Sequence, residues 1–484
     1  MDYSQFLTMQ HEVSLVITMI LLLLVDLVLG KKSSTMFQPV ALAIFALHTI
    51  YGFCIGNEPI GHADAFGGMY ETGNMQMCLK NILNLGTLLV FLFGYEWNKK
   101  NFDTVGEFYV LMLSTLFGMY LMISAGDFLL FYIGLETASI PMATLVALDK
   151  NKKSAEAAAK YVLTAAFSSG VMLFGISLVY GTCGGALYFD EVYDNFNFEP
   201  LQIMAMIFFM AGLCFKVSLV PFHLWTADTY EGAPTPVSAH LSVMSKGAAV
   251  FAFFCILWKA FGAERMMDAD MEFTTAWHDI IWWIIVITIT VGNLFALRQK
   301  NMKRFLAFSS VSQAGYIMLG VIAGTPASMG SMVYYILVYM FTNLVAFGVI
   351  GVIEDKAGKL NMDDYNDLYK TNPKIAVVMM LAMFSLGGIP PFAGFFSKFF
   401  IFAGAAEQGE YLLVFLALAN TIISLFYYLM VVKAMFINHS DNPIPTFKTG
   451  SLALVGITVC VVAMLVLGLI SPVYEYLINI SFGI

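Results

Sequence analysis

Long apolar stretches separated by short polar interruptions run the whole length of the chain. Fourteen can be counted, at about 13–29, 39–56, 77–95, 106–125, 127–148, 158–180, 201–228, 235–260, 279–298, 303–324, 329–353, 374–406, 411–436 and 451–480. Each is near the ~20 residues that a helix needs to cross a bilayer. Lipid offers no partner for backbone N–H and C=O groups, so the spans must be helices that satisfy themselves. Continuous apolar runs of this length exclude a transmembrane β-barrel, whose strands are shorter and alternate. The predicted fold is an all-α polytopic membrane protein of about 14 transmembrane helices, spans 1–14, with no strands.

Two spans are interrupted. Span 7 contains Lys216-Val-Ser-Leu-Val-Pro221-Phe-His223, and span 12 contains Leu386-Gly-Gly-Ile-Pro390-Pro391-Phe-Ala-Gly394. Proline removes an amide donor and clashes with the preceding turn, so both helices should be discontinuous. The breaks at Pro221 and Pro391 lie five spans apart. An odd offset turns the second copy upside down, the inverted-repeat arrangement of secondary transporters. The organisation read from this is 1–105, the first three spans; 106–260, repeat 1 (spans 4–8); 261–436, repeat 2 (spans 9–13); and 437–484, the last span.

Composition agrees with this class: 59% of the 484 residues are hydrophobic, 12% are charged, and mean hydropathy is +0.78. The net charge of −9 says little about partners, because charge is sorted by side. Loops after odd-numbered spans hold most of the 24 Lys and Arg, among them Lys31, Lys32, Arg298, Lys303 and Arg304; loops after even-numbered spans hold only Lys259 and Arg265. The positive-inside rule then places the odd loops in the cytoplasm and both termini outside, on the periplasmic side of a bacterial inner membrane. Met1 to Glu12 contains no Lys or Arg, so the basic region of a cleaved signal is missing and span 1 is expected to be retained.

Five lysines fall inside apolar stretches: Lys80, Lys160, Lys216, Lys246 and Lys398. A cation at mid-bilayer costs roughly 2.5–3.5 kcal/mol on insertion scales, so such residues mark ion or proton pathways by default. Lys216 precedes the break in span 7, Lys246 is central in span 8, and Lys398 follows the break in span 12. Glu136 sits near the centre of span 5. A carboxylate holds the proton on a nearby lysine and burial drives it off, so a Glu136–Lys216 pair that approaches and separates would be a protonation switch. Lys160 is four residues after Glu156 and fits an ordinary helical ion pair as well as a relay role. Lys80 begins span 3 and is expected to snorkel to the outer surface. His240 is a weaker candidate, since it could take a proton near neutral pH or simply pack.

Other chemistry is poorly supported. The six cysteines form no CxxC pair, which argues against zinc or iron–sulfur ligation in this chain; Cys54, Cys78 and Cys183 fall on the outer side and could bridge. No GxGxxG or GxxxxGK[ST] follows a strand, so no metal, cofactor or nucleic acid is expected here.

Three segments carry a resemblance: Pro221-Phe-His-Leu-Trp-Thr-Ala-Asp-Thr-Tyr-Glu-Gly-Ala-Pro-Thr-Pro-Val-Ser-Ala-His240; Lys303-Arg-Phe-Leu-Ala-Phe-Ser-Ser310 with Gln313-Ala-Gly-Tyr316; and Ser385-Leu-Gly-Gly-Ile-Pro-Pro-Phe-Ala-Gly-Phe-Phe-Ser-Lys398. They resemble the antiporter-like subunits of respiratory complex I, the NADH:quinone oxidoreductase, and within them the subunit N type. The resemblance extends over spans 4–13. It implies a translocase subunit in which Glu136, Lys216, Lys246 and Lys398 relay protons, with Lys160 matching a further lysine of subunit N. It implies partner membrane subunits and a peripheral arm, holding FMN, iron–sulfur clusters and quinone, that oxidises NADH. Ala227 departs from the proline that often follows Trp-Thr in the family. A subunit of a multisubunit Na⁺/H⁺ antiporter is the alternative with the same fold.

Overall fold

The computed structural model describes residues 3–29, 34–55, 63–100, 105–262 and 277–481. Lys31, Lys32 and Arg265, used above to sort charge, lie outside the described residues. In chain order the elements are α1 (Gln10–Leu29), α2 (Ser34–Ile55), the strands β1 (Ala63–Ala65) and β2 (Tyr70–Thr72), α3 (Asn74–Lys100), α4 (Val105–Ile123), α5 (Phe128–Val146), α6 (Lys152–Thr182), α7 (Phe189–Asn195), α8 (Pro200–Val217), α9 (Leu224–Gly232) and α10 (Thr235–His240). A π-helical turn, Leu241–Ser245, joins α10 to α11 (Lys246–Ala260). There follow α12 (His278–Ala296), α13 (Met302–Ala323), α14 (Pro326–Ala357), α15 (Leu368–Thr371), α16 (Pro373–Gly387), α17 (Ala393–Glu407), α18 (Tyr411–Phe436), α19 (Ser451–Leu469) and α20 (Pro472–Ser481).

The protein is thus an all-α polytopic membrane bundle. Among the described residues 13 helical segments are long and apolar enough to span a bilayer. The remaining span is the twelfth, which is split into α16 and α17, each 15 residues and so about 23 Å long. Three expectations need correction. A short antiparallel hairpin pairs Ala63 with Thr72, Asp64 with Glu71 and Ala65 with Tyr70, so strands are present. The segment after span 6, read as a loop between apolar stretches, contains the short helix α7 with Asp190, Glu191 and Asp194. The stretch 451–480 is two helices, because Pro472 cannot continue the hydrogen-bond ladder of α19.

The centre of the bundle is α13 and α14, whose spans are 100% and 89% buried. A helix apolar on every side is expected to sit there. Where helices approach closest the contact residue is glycine: a side chain at Gly118 would strike the α5 backbone at Ala138 and Gly134, and one at Gly292 would strike Ser312. Small residues at such points let membrane helices pack by van der Waals contact, which replaces the hydrophobic drive that lipid cannot supply.

Both broken spans end their first half in the same way. Ser218 and Gly388 adopt left-handed conformations, with φ 69° and 80°. The N–H of Leu219 donates to Cys214 O, and the N–H of Ile389 to Phe384 O, which satisfies helix-end carbonyls in Schellman fashion. A cis X-Pro bond follows in each, Val220–Pro221 and Pro390–Pro391. These features coincide at an offset of 170 residues, so the two interruptions are one backbone motif used twice.

Candidate functional site: a row of buried ammonium groups

Lys216, Lys246 and Lys398 are buried, at 3%, 4% and 5% exposure, yet among the described residues none has a carboxylate within ion-pair distance. Lys216 Nζ donates to Ser139 Oγ of α5 at 2.7 Å, and Lys246 Nζ donates to Ser310 Oγ of α13 at 2.7 Å. Each serine passes its own proton back along its helix, to Leu135 O and Ala307 O, and so acts purely as an acceptor for the ammonium. Lys398 Nζ donates to Leu386 O at 2.9 Å, a carbonyl in the last turn of α16 before the break. An ammonium carries three donors, so a single neutral acceptor leaves it underpaired. Voids of about 10 Å³ adjoin Lys246 and Lys398, and this is the space that one water needs.

Glu136 does not close on Lys216. The ammonium takes Ser139, one turn further along the same helix, and Glu136 Oε1 is buried without a partner. Glu136 and Lys216 are therefore not ion-paired in this structure. Lys160 is different in kind: 46% of its side chain is exposed, and it pairs with Glu156 and with Asp228, each at 2.8 Å. Asp228 also binds Arg304 (2.5 Å), which binds Glu231 (3.0 Å), which binds Lys153 (2.8 Å). Lys160 thus belongs to a surface ion cluster at the basic-loop end of the bundle. His240 is fully buried but turned away from Lys246; its Nε2 meets Thr115 Oγ1 of α4 at 3.1 Å.

Two sequence expectations about lysines fail. Lys80 does not snorkel: its side chain is 0% exposed and its Nζ lies 2.6 Å from Glu12 Oε1 of α1. The physical reason is that α1 brings a carboxylate to the same level, which no spacing along α3 discloses. Lys303, read as a loop cation, is buried at the first turn of α13, where it donates to Ala233 O (2.8 Å) and pairs with Glu354 (3.4 Å). Cys54, Cys78 and Cys183 are free thiols rather than a bridge, and Gln202 occupies the sulfur of Cys183 at 3.7 Å.

Tyrosines, which the sequence reading passed over, fill the intervals between the lysines. Tyr161 and Tyr230 are fully buried with unpartnered hydroxyls, and these face Ser139 and Ser310 respectively. The Lys246 ammonium lies 5.7 Å from the Tyr230 ring centroid, and Lys398 lies 5.2 Å from that of Tyr316, both cation–π distances. Tyr339 lines the voids at both Lys246 and Lys398, and its hydroxyl is also unpartnered. Beside it, Tyr335 donates to Gln313, which donates to Tyr428 at 3.1 Å, and Tyr428 meets Ser309 at 2.5 Å. A buried tyrosine within an apolar run is the signal that could have found them, because its hydroxyl needs a polar neighbour. The π turn between His240 and Lys246 was also missed; such turns gather at functional sites.

A cavity of about 390 Å³ opens at the basic-loop end between α3, α10, α14 and α19. Its walls include Glu96, Asp149, Thr235, Glu354 and Asp355, and it reaches Ala239, the neighbour of His240. Burial pushes the Asp149 carboxyl above the usual range, against the pull of Lys303. Among the described residues no group of three or more His, Cys, Asp or Glu is placed to hold a metal ion.

Buried cations within apolar helices and two interrupted spans define a polytopic membrane protein that carries charge inside its bundle. Residues 125–424 match the transmembrane family of NADH:quinone oxidoreductase and Mrp antiporter proteins. The chain is 54% identical over 482 residues to NADH-quinone oxidoreductase subunit N of Phocaeicola vulgatus, covering 99% of both chains. It superposes on a chain of respiratory complex I from Thermus thermophilus with TM-score 0.78 and 29% identity, covering 95% of this chain and 97% of that one. A chain of the Mrp complex from a Dietzia species gives TM-score 0.83 at 20% identity, covering 100% and 97%, which shows a shared fold. The chain belongs to the NADH-quinone oxidoreductase subunit N family.

Proposed function

We infer that this chain is a proton-translocating membrane subunit of an NADH:quinone oxidoreductase, driven by electron transfer from NADH to quinone in partner subunits. The observation that carries the mechanism is that three buried ammonium groups rest on neutral oxygens. A buried charge that loses its partner costs several kcal/mol. An ammonium held by one hydroxyl or carbonyl is therefore poised to give up its proton or to attract a counter-ion. Glu136 supplies that counter-ion for Lys216 when the two close. The order we assign is uptake from the cytoplasm near Lys216, lateral transfer through Lys246, and outward release through Lys398. Tyr161, Tyr230 and Tyr339 bridge the intervals. Lys160, in its surface ion cluster, is the least supported member of this set.

The repeats are assigned to 106–260 and 261–436, with the first three spans and the last span as additions. Both termini lie on the periplasmic side of the inner membrane. FMN, iron–sulfur clusters and quinone belong to the partner subunits. Purification of the tagged chain in mild detergent tests the assignment. Co-purification of a flavin- and cluster-bearing assembly that oxidises NADH is expected. A redox-silent assembly that exchanges Na⁺ for H⁺ would move the chain to the antiporter branch of the fold.

A further inference from the structure

The nine-residue helix α9 begins after the break in span 7, so continuity with α8 does not fix its position. At the basic-loop end it is clamped by two of its own carboxylates, three residues apart. Asp228 binds Lys160 of α6 through Oδ2 (2.8 Å) and Arg304 of α13 through Oδ1 (2.5 Å). Glu231 binds Lys153 of α6 through Oε1 (2.8 Å) and the same Arg304 nitrogen through Oε2 (3.0 Å). Each carboxylate thus gives one oxygen to α6 and the other to α13. Arg304 is itself held at the start of α13, where the Asn301 side chain accepts from its backbone N–H at 3.2 Å. Gly232 closes the joint, because a side chain there would strike Ala157 of α6.

The buried face of the same helix reaches the surroundings of two relay lysines. Trp225 Nε1 donates at 3.2 Å to Phe215 O, the carbonyl just before Lys216, and its ring lies 5.1 Å from that of Tyr161. Tyr161 follows Lys160 in the chain, and its hydroxyl faces Ser139, the acceptor of Lys216. Tyr230 sets its ring 5.7 Å from the Lys246 ammonium and aims its hydroxyl at Ser310, the acceptor of Lys246. An exposed ion pair contributes little stability. A network built around a planar guanidinium fixes geometry instead. Lys160 also differs from the buried lysines in resting on two carboxylates rather than on a neutral oxygen.

We propose that Lys160 is a positioning residue: with Arg304 it fixes α9 through Asp228, and α9 holds Trp225 against the turn that carries Lys216 and Tyr230 over Lys246. The inference rests on the proton-translocating reading above and takes Lys160 out of the groups that exchange protons. A displacement of α9 moves the surroundings of both lysines at once, so the inner-surface ion cluster and the two buried ammonium groups form one mechanical unit.

A guanidinium does not give up its proton, so arginine can replace lysine in an ion pair but not in a proton relay. The test is the pH profile of proton yield per NADH oxidised by the intact complex in liposomes. The variants are Lys160→Met, Lys160→Arg, Asp228→Asn and, as reference, Lys216→Arg. Lys160→Met and Asp228→Asn are expected to lower the yield and displace its pH profile, because Tyr230 is no longer held on Lys246. Lys160→Arg is expected to restore the wild-type yield and profile, while Lys216→Arg loses the yield. A lost yield from an assembled Lys160→Arg complex overturns the proposal and makes Lys160 a proton carrier. That variant keeps the charge, so it decides the question if Lys160→Met fails to assemble. Wild-type yield and profile in Asp228→Asn also overturn the proposal, since the clamp would then position nothing. Wild-type yield in Lys216→Arg overturns the relay reading itself.

Discussion

The two broken spans share a backbone and differ in where their charge sits. In the seventh, Lys216 precedes the break and reaches across to a serine hydroxyl on α5. In the twelfth, Lys398 follows the break and folds back onto Leu386 O of its own span. The position in the seventh span that matches Lys398, seven residues after the cis proline, is Asp228, which is tied to Lys160 and Arg304. Position 386, which matches Lys216, is leucine. The interruption is therefore a general device that frees backbone groups inside the membrane. What each copy does with it depends on which side of the break carries the lysine.

The largest test of that difference exchanges the cations for isosteric apolar residues. Lys216→Met and Lys398→Met are each expected to remove most of the proton yield per NADH in the reconstituted complex. Wild-type yield in either would show that its copy of the break is only structural.

The second test is energetic and has opposite signs in the two copies. Gly388→Ala forces a side chain into φ 80° with its Cβ 3.3 Å from Lys398 Cδ. It should cost about 1–2 kcal/mol in thermal or denaturant stability of the purified protein. Ser218→Gly relieves a left-handed serine at φ 69° and should be neutral or up to about 1 kcal/mol stabilising. Equal destabilisation by both would contradict a shared motif.

A third, smaller effect comes from Ser139→Ala. It removes the one acceptor that the described residues offer the Lys216 ammonium, at a cost of about 1–3 kcal/mol. The expected result is a pumping pH profile displaced from wild type with assembly retained. No side-chain substitution can do this to Lys398, because its acceptor is main chain.

The smallest concerns how the two spans are anchored at their starts. Span 7 opens with a Glu199–Gln202 capping box. Span 12 is held by a loop clasp in which Asp367 binds Lys370 (2.7 Å), the N–H of Ser440 (2.9 Å) and His439. The Lys370 contact first, then the Ser440 N–H, holds the Asp367 carboxyl down at about 2. A depressed folded value means the clasp is fully present above the unfolded aspartate range, near pH 4. It is lost as pH falls toward 2. Asp367→Asn should loosen these loops to protease at neutral pH, where the wild-type clasp is intact.

Much of this was legible in the chain. Apolar length alone located all 14 spans, and proline located both interruptions, because lipid leaves the backbone no other solution. The lysines were legible because a cation in an apolar run is costly enough to need a reason. What failed depended on neighbours remote in sequence. Lys80 read as a snorkelling end-residue because Glu12 lies 68 positions away. Lys303 read as a loop cation because Glu354 and Ala233 come from other elements. Tyr161, Tyr230 and Tyr339 were passed over because a tyrosine in an apolar run discloses its ring and not its hydroxyl's company. The π turn was invisible because Leu241–Ser245 has no proline or glycine to mark it.

In the proposed relay, ammonium groups resting on neutral oxygens pass protons from Lys216 to Lys398, and Lys246 is the link between them. The most direct measurement is proton yield per NADH for the assembled Lys246→Ala complex in sealed liposomes. NADH-driven proton uptake through this subunit is expected to be lost while the complex remains assembled. A wild-type yield from an intact Lys246→Ala complex would contradict it.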